Sequence, residues 1–355
     1  MTLDIHIAEP RAGTRTRSGL TVIVPAYNEA EHVADTIRSL QTQTIVPDEI
    51  VVVDDCSTDG TGDVARASGA KVVRPPENTG SKAGAQNYAL GSVETDLTMA
   101  IDADTVLEPR AVEHALAEMG DPEVAATCGF VLPRRVRSLW ERGRYIEYLL
   151  AFSFFKSVQD YFKKPLISSG CFSLYRTAVL RSVGGWSNRT MAEDMDLTWT
   201  LYQLGWKVRF APRAVCYPVE PATFGFLSKQ LRRWSHGFVQ NVRLHWRGIS
   251  GLSYLRSAVA VACWDALAAS ALFLVGIPLL AVLVSPFFLL GYVVDAPVLL
   301  VPLMAGAVRR REVGKALTSL PAFFALRVVN AVFILQALWQ VLVRKRPLRV
   351  YEKGH

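Results

Sequence analysis

Val51-Val52-Val53-Asp54-Asp55-Cys56-Ser57-Thr58-Asp59-Gly60-Thr61 is the stretch that decides the fold. A β-branched run with no polar alternation reads as a strand buried on both faces, and the residues after it are turn formers leading into helical spacing over 60–68. Leu20 to Pro25, Lys71 to Val73 and Leu97 to Ile101 repeat the pattern, with helices expected over about 30–42, 81–92 and 108–119. Strands of this kind alternating with helices predict an α/β domain around a parallel sheet. Ligands of such sheets sit beyond the carboxyl ends of the strands. Pro25-Ala26-Tyr27-Asn28-Glu29, Asp54-Asp55 and Asp102-Ala103-Asp104 all fall there, so three strand ends converge on one site.

The rest of the chain is of two kinds. Residues 1–250 are an ordinary globular mixture, whereas 257–308 contain only two charged side chains, Asp265 and Asp295. Those 52 positions span roughly 78 Å as helix, enough for two crossings of a bilayer, and 321–343 provides a third. Arg327 and Asn330 inside that third stretch are expected to face protein or water. The net charge of +7 collects around the apolar tail, at Arg243, Arg247 and Arg256, at Arg309 to Arg311 with Lys315, and at Arg344, Lys345, Arg346, Arg349 and Lys353. That placement suits anionic lipid headgroups and not nucleic acid, which would call for a basic stripe interleaved with aromatics.

Five scattered cysteines with no C-x-x-C pair read as reduced thiols of a cytosolic compartment, which makes Asn188-Arg189-Thr190 a chance glycosylation match. Residues 1–19 are polar, with Pro10, Gly13 and several arginines, and lack the apolar core of a secretion signal. The expectation is a catalytic part in the cytosol ahead of an integral membrane region in the cell membrane. No Gly-x-Gly-x-x-Gly follows the first strand, and Gly80-Ser81-Lys82 lacks the upstream glycine of a P-loop, so dinucleotide binding and ATP hydrolysis lose their support. Aromatic and basic helices are expected over about 138–162 and 223–246, with the composition of helices that lie against a membrane or of plain core helices.

Asp102 and Asp104, at a strand end, offer hard oxygen ligands for Mg²⁺ or Mn²⁺ on a diphosphate, or an acidic cap before Glu108-Pro109; the residues alone favour neither. Asp54 or Asp55 suits the imide proton of a uracil, Tyr27 its face, and Lys82 its rim or the diphosphate; turn chemistry and packing are the plainer readings. Glu193-Asp194 opens a helix, where acidic residues complement the dipole and where a carboxylate can also serve as general base. Gln230, Arg233 and Trp234 share one helical face, with Trp234 either a platform for a sugar ring or helix core.

In this order and context the motifs resemble those of the processive family-2 glycosyltransferases, the cellulose, chitin, hyaluronan and poly-N-acetylglucosamine synthases, over roughly residues 20–240. The resemblance implies a Rossmann-like GT-A nucleotide-sugar-binding domain followed by transmembrane helices. It implies an inverting, metal-dependent transfer from a UDP-sugar to a growing β-linked polysaccharide, with transfer of one sugar to a membrane lipid as the alternative. By the same resemblance, Pro25, Tyr27, Glu29, Asp54, Asp55, Lys82 and Asp102 hold the nucleotide sugar. Asp102 and Asp104 hold Mg²⁺ or Mn²⁺, Asp194 with Glu193 forms the catalytic group, and Gly170, Cys171, Gln230, Arg233 and Trp234 meet the acceptor. The expected organisation is a polar tail over 1–19, the catalytic domain over 20–222, interfacial helices over 223–256, about three transmembrane helices over 257–343 and a basic tail over 344–355. Three spans are few for a polymer channel, a shortfall that a homo-oligomer or an accessory subunit would make good.

Overall fold

The structure, a computed structural model, describes residues 17–294, 296–345 and 348. The expected N-terminal tail up to residue 16, the break at Asp295 and the basic residues Arg346, Arg349 and Lys353 lie outside the described residues. In chain order the first elements are β1 (Arg17–Ala26), α1 (Val33–Gln41), β2 (Glu49–Asp54), α2 (Thr61–Ala67), β3 (Lys71–Val73), α3 (Lys82–Leu90), β4 (Thr95–Ile101), β5 (Val106–Leu107) and α4 (Ala111–Ala117). Then come β6 (Val124–Val131), α5 (Leu139–Leu150), α6 (Lys156–Tyr161), β7 (Phe172–Arg176), α7 (Thr177–Ser182), α8 (Glu193–Gln203), β8 (Lys207–Tyr217) and α9 (Phe224–Ile249). Helices α10 (Ser253–Trp264), α11 (Ile277–Leu283), α12 (Ala296–Arg309) and α13 (Val313–Leu338) complete the described order, with π and 3₁₀ turns between them.

The chain divides into two compact units, one of residues up to 130 with 167–189 and 193–218, the other of 131–166, 190–192 and 219 onward. The first is built on an eight-stranded sheet in the order β3-β2-β1-β4-β7-β6-β8-β5. The four strands read from the sequence pair in parallel, β1 lying between β2 and β4 with Ile23 opposite both Val51 and Ala100. Val22, Ile23, Val24, Val52 and Val53 are fully buried, as continuous apolar strands require. The sheet is mixed, however, since β7 runs antiparallel to both β4 and β6, and β5 to β8. These later strands have shorter or more polar runs, such as Phe172-Ser173-Leu174-Tyr175-Arg176, so the helix-alternating pattern that marked the parallel half does not extend to them.

The second unit is helical. Three of its helices are long and apolar enough to cross a membrane, Ser253–Leu283, Pro286–Arg309 and Val313–Val343, and the chain is an integral membrane protein. The third starts before the expected position at Pro321. Lys315 is accommodated in its first turns by Glu312, 3.1 Å away, and by the Tyr145 ring beneath its Nζ at 4.5 Å. Within this unit α13 packs on α5 and α9. Leu326 is buried with Leu227 and Leu231, Ala337 and Val341 with Val239, and Gly143 lets the backbones of α5 and α13 approach so closely that a Cβ would lie 3.0 Å from Ala322 O. Arg327 and Asn330 of this helix both face protein. Asn330 Nδ2 donates to Glu147 Oε1 at 3.0 Å, and the Arg327 guanidinium lies 4.6 Å from the centroid of Phe273.

Candidate active site

The two strand ends at β1 and β2 are locked together by their loops. After β1 the backbone turns back at Asn28, φ 54°, and after β2 at Cys56, φ 63°, both in the left-handed region that costs an L residue about 1 kcal/mol. Asn28 N–H donates to Ser57 Oγ at 3.0 Å, Thr58 N–H donates back to Asn28 Oδ1 at 2.9 Å, and Glu29 N–H donates to Thr61 Oγ1 at 2.8 Å. Pro25, one residue before the end of β1, lies opposite Val53, Glu29 is buried, and Tyr27 stands 41% exposed at the loop.

Asp54 and Asp55 part company here. Asp54 accepts from Ser57 N–H at 2.9 Å and from Arg74 Nη1 at 2.6 Å, so its charge is spent on a half-exposed arginine and its own loop. Asp55 turns to the loop before α3, where both Thr79 N–H and Thr79 Oγ1 donate to it at 2.8 Å, while Asn78 Nδ2 donates to its carbonyl at 2.7 Å. Each carboxylate oxygen of Asp55 keeps a further lone pair for a ligand.

Lys82 joins the remaining residues of the sheet unit. It is the first residue of α3, capped by Ser81 Oγ, which accepts from Gly84 N–H at 3.0 Å. Its ammonium pairs with Asp102 Oδ1, donates to Gly170 O at 3.0 Å and lies 3.8 Å from Glu193 Oε1. Gly170 N–H in turn donates to Asp194 Oδ2 at 2.9 Å, and Met195 N–H to Asp194 Oδ1 at 2.8 Å. One lysine, one backbone turn and three carboxylates are thus linked, Asp102 and Glu193 by ion pairs to Lys82 and Asp194 through the Gly170 N–H. A Cβ on Gly170 would sit 3.1 Å from Lys82 Nζ and 3.2 Å from Asp194 Oδ2, which explains glycine there. Beside it, Cys171 is a half-buried free thiol whose carbonyl accepts from Asp102 N–H at 3.3 Å.

A strand continued through Ala103 would have sent Asp102 and Asp104 to the same face. The chain instead leaves β4 at Ile101 and turns, Thr105 N–H donating to Asp102 O at 3.1 Å, with Ala103 buried and the two aspartates half-buried. Among the described residues no group of three or more His, Cys, Asp or Glu side chains that could hold a metal is found. Beneath the site Tyr175 is fully buried, and that burial together with the charge of Asp194 pushes its phenol up to about 12. It stays neutral at physiological pH and stacks edge-on against Trp186.

Gln230, Arg233 and Trp234 fall on α9 in the other unit, all half-buried, and Gln230 Oε1 is buried without a hydrogen-bond partner. Sequence reasoning missed Asn78 and Thr79, which orient Asp55, and Arg74, which neutralises Asp54. The spacing of Thr79 just ahead of the Ser81 cap was the available signal. It also missed Arg144 and Glu220, both buried in the helical unit and paired with each other, for which the sequence carries no local signal.

The chain is 29% identical over 224 residues to the poly-beta-1,6-N-acetyl-D-glucosamine synthases of Staphylococcus epidermidis and of Staphylococcus aureus strain COL, covering 62% of this chain and 54% of each relative. The chain therefore spans about half the length of these curated relatives. Among solved structures, the mannosyltransferase PcManGT of Pyrobaculum calidifontis, in complex with GDP-Man and Mn²⁺, superposes with a TM-score of 0.60 at 20% identity over 94% of this chain and 90% of that one. TarS 1-349 of S. aureus superposes at 0.52 with 18% identity over 85% and 90%. Both share the fold, a GT-A-like sheet with its helices. Residues 97–298, more than half of the chain, match the family described as glycosyl transferase family group 2, and to that family the chain belongs.

Proposed function

We propose that the chain is an inverting glycosyltransferase that moves N-acetylglucosamine from UDP-N-acetylglucosamine to the end of a growing β-linked polysaccharide, on the cytoplasmic face of the membrane. The sugar is taken from the relatives' names, and the reaction type is supported chiefly by one observation. Lys82 gathers Asp102, Glu193 and the Gly170 turn, and the turn in turn holds Asp194.

In this reading Asp194 is the general base. Two backbone N–H groups hold its carboxylate in a fixed orientation, and a base must be so placed when the acceptor hydroxyl arrives. The acceptor oxygen bonds to the anomeric carbon as the bond from that carbon to the phosphate oxygen breaks. The electron pair leaves on UDP, the hydroxyl proton passes to Asp194, and a single displacement inverts the configuration. Lys82 meets the charge gathering on the departing diphosphate, releasing its carboxylate partners as the phosphates take their place. Glu193, 3.8 Å from that ammonium, tunes where it points.

Pro25, Tyr27 and Glu29 would frame the nucleoside, with the exposed Tyr27 ring available to stack on the base and Asp55, steadied by Thr79, accepting its imide proton. Asp54 contributes by shaping the loop, given its pairing with Arg74. Asp102 and Asp104 would hold the divalent cation. Magnesium in nucleotide sites takes one or two carboxylates and completes its shell with phosphates and water, so a two-carboxylate turn fits it, and Mn²⁺ shares the preference for oxygen ligands. When bound, the ion supplies positive charge to the leaving diphosphate. Gly170 and Cys171 would border the acceptor terminus, and Gln230, Arg233 and Trp234 the acceptor sugars.

The test is product size. Purified full-length protein given UDP-[¹⁴C]N-acetylglucosamine and Mg²⁺ should release UDP and build water-soluble or insoluble chains that grow with time. A single-sugar product that partitions into organic solvent at saturating donor would replace the polymer by a lipid acceptor, and UDP release with some other sugar nucleotide only would replace the sugar.

A further inference from the structure

We propose that Arg144 is a positioning residue for Trp234, fixing the plane of the indole on which an acceptor sugar rests. The inference depends on the acceptor-side role given to Trp234 above and extends it to a residue outside every motif of the sequence.

Arg144 projects from α5 and is 1% exposed, a full positive charge inside the helical unit. Its donors are committed on three sides. Nε donates to Glu220 Oε2 at 3.2 Å, Nη1 pairs with Glu147, and Nη2 donates to Tyr148 Oη at 2.8 Å. Tyr148 Oη donates onward to Glu220 Oε1 at 2.8 Å, closing a ring of three residues around one guanidinium edge. Such bracing restrains the planar group, and its Cζ lies over the Trp234 ring, 4.3 Å from the ring centre. Burial would pull the guanidinium pKa down, but the neighbouring Tyr148, Glu147 and Glu220 raise it, so the charge is permanent.

A buried ion pair is a poor device for stability alone, because desolvation takes back most of what the attraction gives. It is a good device for orientation. One face of the indole is set by a braced cation, while Trp234 itself is only half-buried. The bracing also extends to α13, whose Asn330 donates to the second oxygen of Glu147 at 3.0 Å, so an apolar helix long enough to cross a membrane shares in holding the acceptor platform. Lysine could keep the charge but neither the fork nor the flat face.

The experiment uses the purified full chain with UDP-N-acetylglucosamine and a β-1,6-linked N-acetylglucosamine oligosaccharide as acceptor. Arg144→Lys should raise the acceptor KM about tenfold, leave the donor KM and acceptor-independent UDP release unchanged, and have no further effect when added to Trp234→Ala. An unchanged acceptor KM in Arg144→Lys beside a raised one in Trp234→Ala overturns the positioning role. So does full additivity of the two substitutions, which marks Arg144 as a purely structural residue. An acceptor KM unmoved by Trp234→Ala itself instead removes the acceptor-side reading, and the inference with it. Should Arg144→Lys not fold, Glu220→Gln, which keeps the shape and loosens the guanidinium, is measured against the same outcomes.

Discussion

The sheet unit and the helical unit handle charge in opposite ways. In the sheet unit Asp55, Asp102 and Asp194 stand just after β2, just after β4 and at the start of α8, and Asp55 and Asp194 are held by backbone N–H groups of short loops. In the helical unit Arg144, Glu147 and Glu220 are held by one another, by Tyr148 and by Asn330, drawn from elements far apart in sequence. Backbone dipoles can hold a carboxylate ready for a ligand without neutralising it, whereas Arg144 and Glu220, paired with each other and shut away from solvent, are out of reach of a substrate. The first arrangement suits a site where substrate must arrive and leave. The second suits a scaffold.

That contrast is broken most strongly by Glu220→Ala. Burial raises the Glu220 pKa, with Arg144 opposing, and removing the carboxylate leaves a buried guanidinium short of a partner. A loss of about 3 kcal/mol is expected, read as a fall in Tm in detergent, and an unchanged Tm would mean that the cluster bears no load. Gly170→Ala probes the other unit. Its Cβ would press on Lys82 Nζ and Asp194 Oδ2, so kcat should fall by roughly tenfold to a hundredfold with Tm within about 2 °C, since the strain falls on the site and not on the core. Thr79→Ala removes one of two donors to Asp55 and keeps the other, so the donor KM should rise about fivefold with kcat held. Loss of kcat instead would place Asp55 in the chemistry.

The smallest effect is electrostatic and exposed. Hydrogen bonds from Arg110, then Thr44, hold Glu113 down at about 2, against 4.5 ordinarily. A depressed carboxylate contributes stability that is present above its unfolded pKa and lost as pH falls through the folded one. Glu113→Gln should therefore matter slightly at pH 6 in low salt and progressively less from 4.5 down to about 2, as seen in parallel melting curves; a difference that grows toward acid pH would contradict the assignment.

How legible each region was follows from the same contrast. The four parallel strands and the helices after them were readable because β-branched runs end in turn residues, and the carboxylates lie within a few residues of those ends. The antiparallel partners were not. Strand β7 owes its place to pairing of Phe172 with Ile101 and of Leu174 with Met99 and Thr127, a long-range match that no local pattern encodes. In the site, the placing of Asp54, Asp55, Asp102 and Asp104 follows from where the strands end, but the approach of Lys82 and Asp194 to Asp102 through the Gly170 turn is a long-range contact that no local pattern encodes. Arg144 was read as one more basic residue of an aromatic helix. Nothing within several residues of it shows that Glu220 lies opposite, so its burial was invisible. The last apolar helix also begins ahead of the stretch read as a span, at Val313, where Glu312 and the Tyr145 ring accommodate Lys315.

The central claim is that Asp194 takes the acceptor proton at a site that binds UDP-sugar independently of it, and Asp194→Asn tests this most directly. Asparagine keeps an oxygen for Gly170 N–H and loses the base. With the purified chain, calorimetric titration of UDP should give an affinity within about twofold of the parent, while sugar transfer falls by about a thousandfold. Transfer at the parent rate with UDP binding intact would contradict the account.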